Sequence, residues 1–106
     1  MALMPSEFGQ IELLDETVDN VTNASSTYIN VEGYAGHAYV AFVFIAGFVS
    51  VYSILTSTSQ IRTVSAIFED THANAPKLTN DGNKCKINQV SGTTARTAYI
   101  KYIKFY

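Results

Sequence analysis

The longest apolar stretch of the chain covers residues 38–55 and contains no charged side chain. Its length permits one transmembrane helix, since about 18–20 apolar residues cross the hydrocarbon core of a bilayer. Its residue types favour strands instead, because β-branched and aromatic side chains lose rotamer freedom in a helix and suit a pleated sheet. Ala46 and Gly47 divide the stretch into two halves of ordinary strand length. We therefore predict a hairpin, with one long strand bulged at Gly47 as a variant.

The flanks of this stretch also bear on the choice between helix and hairpin. No Lys or Arg lies between Met1 and Gln60, so the basic residues that anchor a membrane span are missing on one side. Both halves of the stretch are almost continuously apolar, which is typical of strands buried on both faces, as in a sandwich core or a subunit interface. A membrane span through residues 38–55 is the alternative to this hairpin.

Short strand-like segments separated by turn residues continue along the rest of the chain. They cover residues 28–32, 60–68, 84–90 and 97–106. Asp81 and Gly82 form a strong hairpin-turn signal before the third of them. Ile11–Val21 is ambiguous, because its pattern fits a strand, a short helix or an arm that docks on a neighbouring molecule. The pattern predicts an all-β fold, a single antiparallel β-sandwich of the jelly-roll kind with six to eight strands.

The distribution of charge divides the chain more clearly than its net charge of −2 does. Residues 1–32 carry six acidic side chains and no basic one, whereas residues 77–106 carry six basic ones against Asp81 alone. The two ends either pair electrostatically, within or between subunits, or form two solvated faces of opposite sign. Lys101 and Lys104 are interpreted as guards of an exposed sheet edge.

The length of 106 residues allows one domain with one hydrophobic core. We divide the chain into residues 1–26, an extended acidic N-terminal arm or docking segment, and residues 27–106, the β-sandwich domain. The start of the chain has neither the basic region nor the apolar region of a secretory signal. The single cysteine, Cys85, excludes an internal disulfide and is expected to pack as a small hydrophobe.

Residues 69–83 are predicted to form a long polar loop near one end of the sandwich. Its candidate ligand-binding side chains are Glu69, Asp70, His72, Asp81 and Asn83. Oxygen-rich loops of this kind can hold calcium or hydrogen-bond a sugar, although the spacing of a dedicated calcium loop is absent. A solvated loop without a ligand is the simpler interpretation, because loops are polar wherever they face water.

The sequence predicts no catalytic residue, no metal ligand and no cofactor. Cys85 lies inside a predicted strand, so a catalytic pair with His37 or His72 lacks the exposed turn that a nucleophile needs. One cysteine and two distant histidines cannot complete a structural zinc site. The basic, tyrosine-rich end of the chain looks like a stacking surface for single-stranded nucleic acid, but the isoelectric point of about 5.5 argues against nucleic-acid binding.

Residues 27–33, the central hairpin and the terminal SGTTARTAYIKYIKFY together resemble small β-sandwich proteins of tailed bacteriophage virions. These are fibre, head-fibre and capsid-decoration modules, in which a Thr/Ser/Asn-rich chain has short aromatic strands and ends at its last strand. The resemblance implies a non-enzymatic structural or adhesion module that is made in the bacterial cytoplasm and located in the virion. It implies a homo-oligomer, with a trimer favoured, and no residue is carried over from it as a functional site.

The resemblance also suggests which parts of the chain meet a partner. The N-terminal arm would attach to other virion proteins, and a host surface glycan is a further candidate partner. The candidate subunit interface consists of the aromatic residues Phe42, Phe44, Phe48, Tyr52, Tyr102 and Phe105. Two alternatives stay open at this point: a carbohydrate-binding β-sandwich that uses residues 69–83, and a small membrane protein that spans through residues 38–55.

Overall fold

A computed structural model of the chain describes residues 10–106. They form seven β-strands and one short 3-10 helix. The strands are β1 (Ile11–Val21), β2 (Ala38–Ile45), β3 (Phe48–Thr56), β4 (Ile61–Phe68), β5 (Pro76–Asp81), β6 (Lys84–Gln89) and β7 (Arg96–Phe105), and the 3-10 helix is Val31–Tyr34. Paired strands are antiparallel throughout the described chain. The prediction of an all-β fold with six to eight antiparallel strands is confirmed, and the jelly-roll arrangement stays a prediction.

Five strands form the main sheet in the order β1-β7-β2-β3-β4, and β5 and β6 form a second sheet of two strands. The first and last strands of the described residues are therefore neighbours, because β7 lies between β1 and β2. The interpretation of Lys101 and Lys104 as edge guards is wrong, since β7 is an inner strand and β1 and β4 are the edges. Both lysines face acidic residues of β1 instead, with Asp15 opposite Lys101 and Glu12 opposite Lys104.

The apolar stretch at residues 38–55 forms the predicted hairpin of β2 and β3. Its register runs from Ala38 opposite Leu55 to Ile45 opposite Phe48. Ala46 and Gly47 make the turn with φ angles of 52° and 83°, as in the tight turns whose twist matches that of the paired strands. The alternative of a transmembrane helix in this stretch is wrong, because its side chains pair across two strands.

Within residues 10–106, no helix is long and apolar enough to cross a membrane.

One face of the main sheet, which we call the inner face, is covered by the β5–β6 hairpin and by the segment around the 3-10 helix. Its buried residues are Tyr39, Ala41, Val43, Ile45, Tyr52, Ile54, Ala98, Ile100 and Tyr102. The covering layer contributes Ile29, Val31, Leu78, Cys85 and Ile87. Each large apolar side chain buried in this way stabilises the fold by about 1.5–3 kcal/mol relative to an exposed one. The core therefore lies between the two sheets.

Two local predictions are wrong. Residues 28–32 do not form a strand, since Tyr28 makes only an isolated bridge with Lys86 and the 3-10 helix follows. The backbone reverses directly after this segment, where Gly33 and Tyr34 take φ angles of 63° and 72° that extended backbone does not allow. Residues 69–83 are not one loop, because Pro76–Asp81 forms β5. In that strand Pro76 and Leu78 are buried, while the other four residues, Lys77 and 79–81, face solvent, which is why the segment looks polar in sequence.

Ile11–Val21 is a strand, which decides among the three possibilities that its sequence left open. It pairs with β7 from Ile11 opposite Phe105 to Val18 opposite Ala98. The acidic start and the basic end of the chain therefore pair within one subunit. Of the predicted arm, residues 11–21 belong to the main sheet and residues 1–9 lie outside the described residues. A docking role for residues 1–26 stays a prediction.

Candidate functional site: the outer face of the main sheet

The side chains predicted to form a ligand-binding loop are divided between the two ends of β5. Glu69, Asp70 and His72 precede the strand, whereas Asp81 ends it and Asn83 lies in the turn that follows. A strand of this length spans roughly 17 Å at about 3.3 Å per residue. The structure therefore does not bring the five side chains together into one site.

The group before β5 is bonded within the chain. Tyr52 donates its hydroxyl hydrogen to a carboxylate oxygen of Glu69. The Asp70 amide donates to Ser50 Oγ at 3.1 Å, and Asp70 Oδ1 accepts from the His72 amide at 2.8 Å. These bonds attach the connection between β4 and β5 to the first half of β3. They explain the polar residues at this end of the molecule without a ligand.

The imidazole of His72 is also held in place within the chain. Its ring stacks on Phe48 with a centroid distance of 3.9 Å and an interplanar angle of 15°. Its Nδ1 atom accepts from the amide of Asn74 at 3.1 Å. Across residues 10–106, no group of three or more His, Cys, Asp or Glu side chains is placed to hold a metal ion.

The two candidate residues at the other end of β5, Asp81 and Asn83, also make their contacts within the chain. Asp81 Oδ2 accepts a hydrogen bond from the hydroxyl of Tyr28 at 2.8 Å and lies 3.9 Å from the Nζ atom of Lys86. The backbone oxygen of Asn83 accepts from the Ile61 amide at 2.9 Å. These contacts attach the β5–β6 turn to Tyr28 and to the start of β4.

The six aromatic residues proposed as a subunit interface lie in three different environments. Tyr52 and Tyr102 are core residues on the inner face, with exposures of 1% and 2%. Phe48 lies next to the β2–β3 turn, stacked on His72. The remaining three lie on the opposite side of the main sheet from the core: Phe42, Phe44 and Phe105. Of the three environments, only the one that contains Phe42, Phe44 and Phe105 offers a broad surface to another molecule.

That opposite side of the main sheet, which we call the outer face, is not covered by any strand or helix of the described chain. Across β1, β7, β2 and β3 its rows are Ile11–Phe105–Ala38–Leu55, Leu13–Ile103–Val40–Ser53, Asp15–Lys101–Phe42–Val51 and Thr17–Tyr99–Phe44–Val49. On β4 the rows continue with Thr63, Ser65 and Phe68. In the first four strands every position is apolar or aromatic except Asp15, Lys101, Thr17 and Ser53. The expectation that both strands of the hairpin are buried on both faces is thus wrong for one copy of the chain.

Large apolar side chains protrude from the outer face into solvent. Those more than two-fifths exposed on it are Ile11, Leu13, Leu55, Phe68, Tyr99 and Phe105, and Ile67 adds to them at the bulge of β4. Leu13 reaches 75% exposure. From five strands about 4.8 Å apart and about eight residues long, the face measures roughly 600 Å². An apolar patch on a face of this size is at the upper end of what monomeric proteins expose, and such patches are often functional.

The charged residues among the outer-face rows neutralise each other. Lys101 Nζ lies 2.9 Å from Asp15 Oδ1, and the two side chains are 64% and 72% exposed. A groove of about 360 Å³ opens beside the pair, next to Leu13, Phe42 and Ile103. The face therefore combines an apolar surface with no net charge.

The remaining candidate nucleophile, Cys85, is inert in this environment. Its side chain is fully buried. Burial in the core, with a smaller contribution from the negative charge of Glu16, raises the pKa of the Cys85 thiol to about 12. A reactive cysteine needs a lowered pKa and access to solvent. The prediction that Cys85 packs as a small buried hydrophobe is confirmed.

Sequence reasoning missed most of the outer face. It selected aromatic residues of the hairpin, but it did not select Ile11, Leu13, Leu55 or Tyr99. One signal was available in the sequence of β7. Alternate residues of a strand lie on the same side, so every second residue from Tyr99 to Phe105 shares one face. The alternation does not say which side is covered, however, and that depends on where the β5–β6 hairpin packs.

No protein-family model matches the chain, and no curated protein or solved structure matches it either.

Proposed function

We propose that the protein is a non-enzymatic structural module that assembles with further copies of itself through the outer face of the main sheet. The observation that carries this proposal is the row of exposed large apolar residues on a face with no second layer over it. Water contact with these side chains is unfavourable, and burying them between copies releases about 25 cal/mol for each Å² of apolar surface. Assembly would give the sheet the second layer that one copy lacks.

A second copy of the chain is the occupant that the face fits best. Two faces of roughly 600 Å² bury about 1,200 Å² together, which reaches the lower limit of a standard protein–protein interface. The pair of Asp15 and Lys101 leaves the face without net charge, so a partner of opposite charge is not required. A neutral apolar face can be complementary to itself, as the two-fold interfaces of homo-oligomers are.

The setting that we propose for this module is a bacteriophage virion, as a fibre or capsid-decoration protein. Support comes from the resemblance to small β-sandwich virion proteins described above. It also comes from the outer face, which is suited to assembly rather than to catalysis. Other virion proteins are the proposed partners of residues 1–26. The number of copies, including the trimer expected from the resemblance, is open to direct measurement.

The test is light scattering coupled to size exclusion, on protein purified without detergent. We expect a discrete oligomer for the natural sequence and a monomer for Leu13→Asp and Phe42→Asp, which place a charge in the apolar surface. Leu13 is largely exposed in one copy, so its replacement should leave the fold intact, as circular dichroism would verify. Thr79→Asp, on the solvent side of β5, is the matched control and should keep the oligomer. A natural protein that stays monomeric at all concentrations would refute the proposal.

Carbohydrate binding through residues 69–83 is the weaker candidate, because the structure divides its side chains between the two ends of β5. A glycan array tests it directly. Saturable binding that is lost in Asp70→Ala or Asp81→Ala would favour this function over assembly.

A further inference from the structure

We propose that two copies pack outer face to outer face about a two-fold axis that runs along β2, so that the β1–β7 half of each copy covers the β3–β4 half of the other. This inference rests on the proposed self-assembly and adds its geometry. β2 is the middle strand of the main sheet, and an axis along it leaves neither half of the face uncovered.

Symmetry limits how two identical faces can meet. A two-fold axis that turns one outer face onto the other must lie in the plane between them. Two sheets whose strands stay aligned require an axis that runs either with the strands or across them, whereas an oblique axis makes the strands cross. An axis along β2 places β1 over β4 of the other copy and β7 over β3. An axis across the strands places β1 over β1 and β7 over β7. The two arrangements therefore differ in which side chains meet.

The sizes of the side chains favour the axis along β2. The β1–β7 half of the face is bulky, and its most exposed residues are Ile11, Leu13, Tyr99 and Phe105. The β3–β4 half also carries the large residues Leu55 and Phe68, but it has the smaller hydroxyl residues of the face, with Ser53 opposite Ser65 and Thr63 opposite Leu55. Large side chains that meet small ones interdigitate without voids, as in a protein core. Leu13 and Ile103 of one copy then lie over Ser65 and Ser53 of the other.

Polar groups favour the same arrangement. Covering Asp15 and Lys101 removes water from both charges, and this costs free energy unless hydrogen-bonding groups replace it. With the axis along β2, Asp15 lies over Phe68 and Lys101 over Val51 of the other copy. The hydroxyls of Ser65 and Ser53 are in the adjacent row, where they can donate to and accept from the two charged groups. With the axis across the strands and through their own row, each charge lies over its like in the other copy.

Cysteine cross-linking distinguishes the two axes. Packed sheets lie about 10 Å apart, beyond the reach of a disulfide, whose Cα atoms are about 4.4–6.8 Å apart. The reagent is therefore a short bis-maleimide. The test protein is the full chain with Leu13→Cys and Ser65→Cys together. These positions occupy opposite edges of the sheet, roughly 19 Å apart at about 4.8 Å per strand, so a short linker joins them only between copies.

We expect the double variant to form covalent dimers in large excess over Leu13→Cys alone and Ser65→Cys alone. The natural chain is the control and should not cross-link, because Cys85 is buried. Dimers from Leu13→Cys alone would place the axis across the strands and overturn the inference. A trimer in light scattering would also overturn it while leaving the proposed self-assembly standing. A monomer would refute both.

Discussion

The hydroxyl of Tyr102 donates a hydrogen bond to Glu16 Oε1 at 2.6 Å, and this bond joins β7 to β1. The other carboxylate oxygen of Glu16 accepts from the Asn30 amide at 2.7 Å. One carboxylate therefore joins β1, β7 and the segment that leads into the 3-10 helix. Burial, together with the negative charge of Glu16, raises the pKa of Tyr102 above its usual range.

Removing the Tyr102 hydroxyl tests how much this junction stabilises the fold. We expect Tyr102→Phe to lower the free energy of unfolding by about 1.5–3 kcal/mol, because it removes a hydrogen bond to a charged group. Urea denaturation followed by circular dichroism measures the loss. The control is Tyr99→Phe, on the exposed side of the same strand, with an expected change below about 0.5 kcal/mol. Equal losses in the two variants would contradict a specific role for the Tyr102–Glu16 bond.

The buried thiol of Cys85 should make stability depend on alkaline pH. Its pKa is raised from 9.0 to about 12 in the folded chain, so the unfolded chain loses this proton at lower pH than the folded one. The contribution is fully present below pH 9 and is lost as the pH rises from 9 towards 12, by about 1.4 kcal/mol per pH unit. The measurement is the difference in unfolding free energy between the natural chain and Cys85→Ala across this range.

In that comparison Cys85→Ala is less stable at neutral pH because it leaves a cavity, and only the pH dependence of the difference is diagnostic. The buried tyrosines Tyr52 and Tyr102 also have raised pKa values. They titrate in both proteins, so the larger part of their effect, which burial causes, cancels. Only the smaller part that comes from the charge of Cys85 stays in the difference. A difference that stays constant across the alkaline range would contradict the prediction.

The β2–β3 turn offers a stabilising substitution. Ala46 has a φ of 52°, a conformation that costs a residue other than glycine roughly 1–2 kcal/mol. Asn followed by Gly is the preferred pair in turns of this kind. We therefore expect Ala46→Asn to raise stability by about 0.5–1 kcal/mol, visible as a higher melting temperature. The opposite change, Gly47→Ala at a φ of 83°, should lower the melting temperature, although a Cβ added at this position would meet no atom within 4 Å. A lower melting temperature for Ala46→Asn would contradict this account of the turn.

Gly92 is required by a close approach to a buried glutamine. A Cβ at this position would overlap Gln89 Oε1 and lie 2.7 Å from Asn74 Oδ1. Gln89 cannot move freely, because its Nε2 donates to the backbone oxygens of Val21 and Thr94, each at 2.7 Å.

We expect Gly92→Ala to destabilise the fold by about 1–3 kcal/mol through this overlap. Guanidinium denaturation provides the measurement. The neighbouring Ser91→Ala, at an exposed position, should be close to neutral. A neutral Gly92→Ala would show that Gln89 has room to shift.

Several elements could be predicted from local chemistry alone. The Ala46-Gly47 and Asp81-Gly82 turns were identified because few residue pairs allow a tight reversal. The hairpin, β4, β6 and β7 were identified because β-branched and aromatic residues fit a pleated sheet. In contrast, β5 was missed since only Pro76 and Leu78 of that strand enter the core.

The sequence by itself determined the strand-forming character of the chain and the opposite charges of its two ends. Only the tertiary structure decided that β1 pairs with β7, because strand pairing between distant segments leaves no local pattern. It alone also distinguished the two faces of the central hairpin. β2 and β3 are apolar on both sides, and which side is buried depends on where the β5–β6 hairpin packs. The outer face is exposed because this chain has one such hairpin in its described part, and that hairpin covers one side of the sheet.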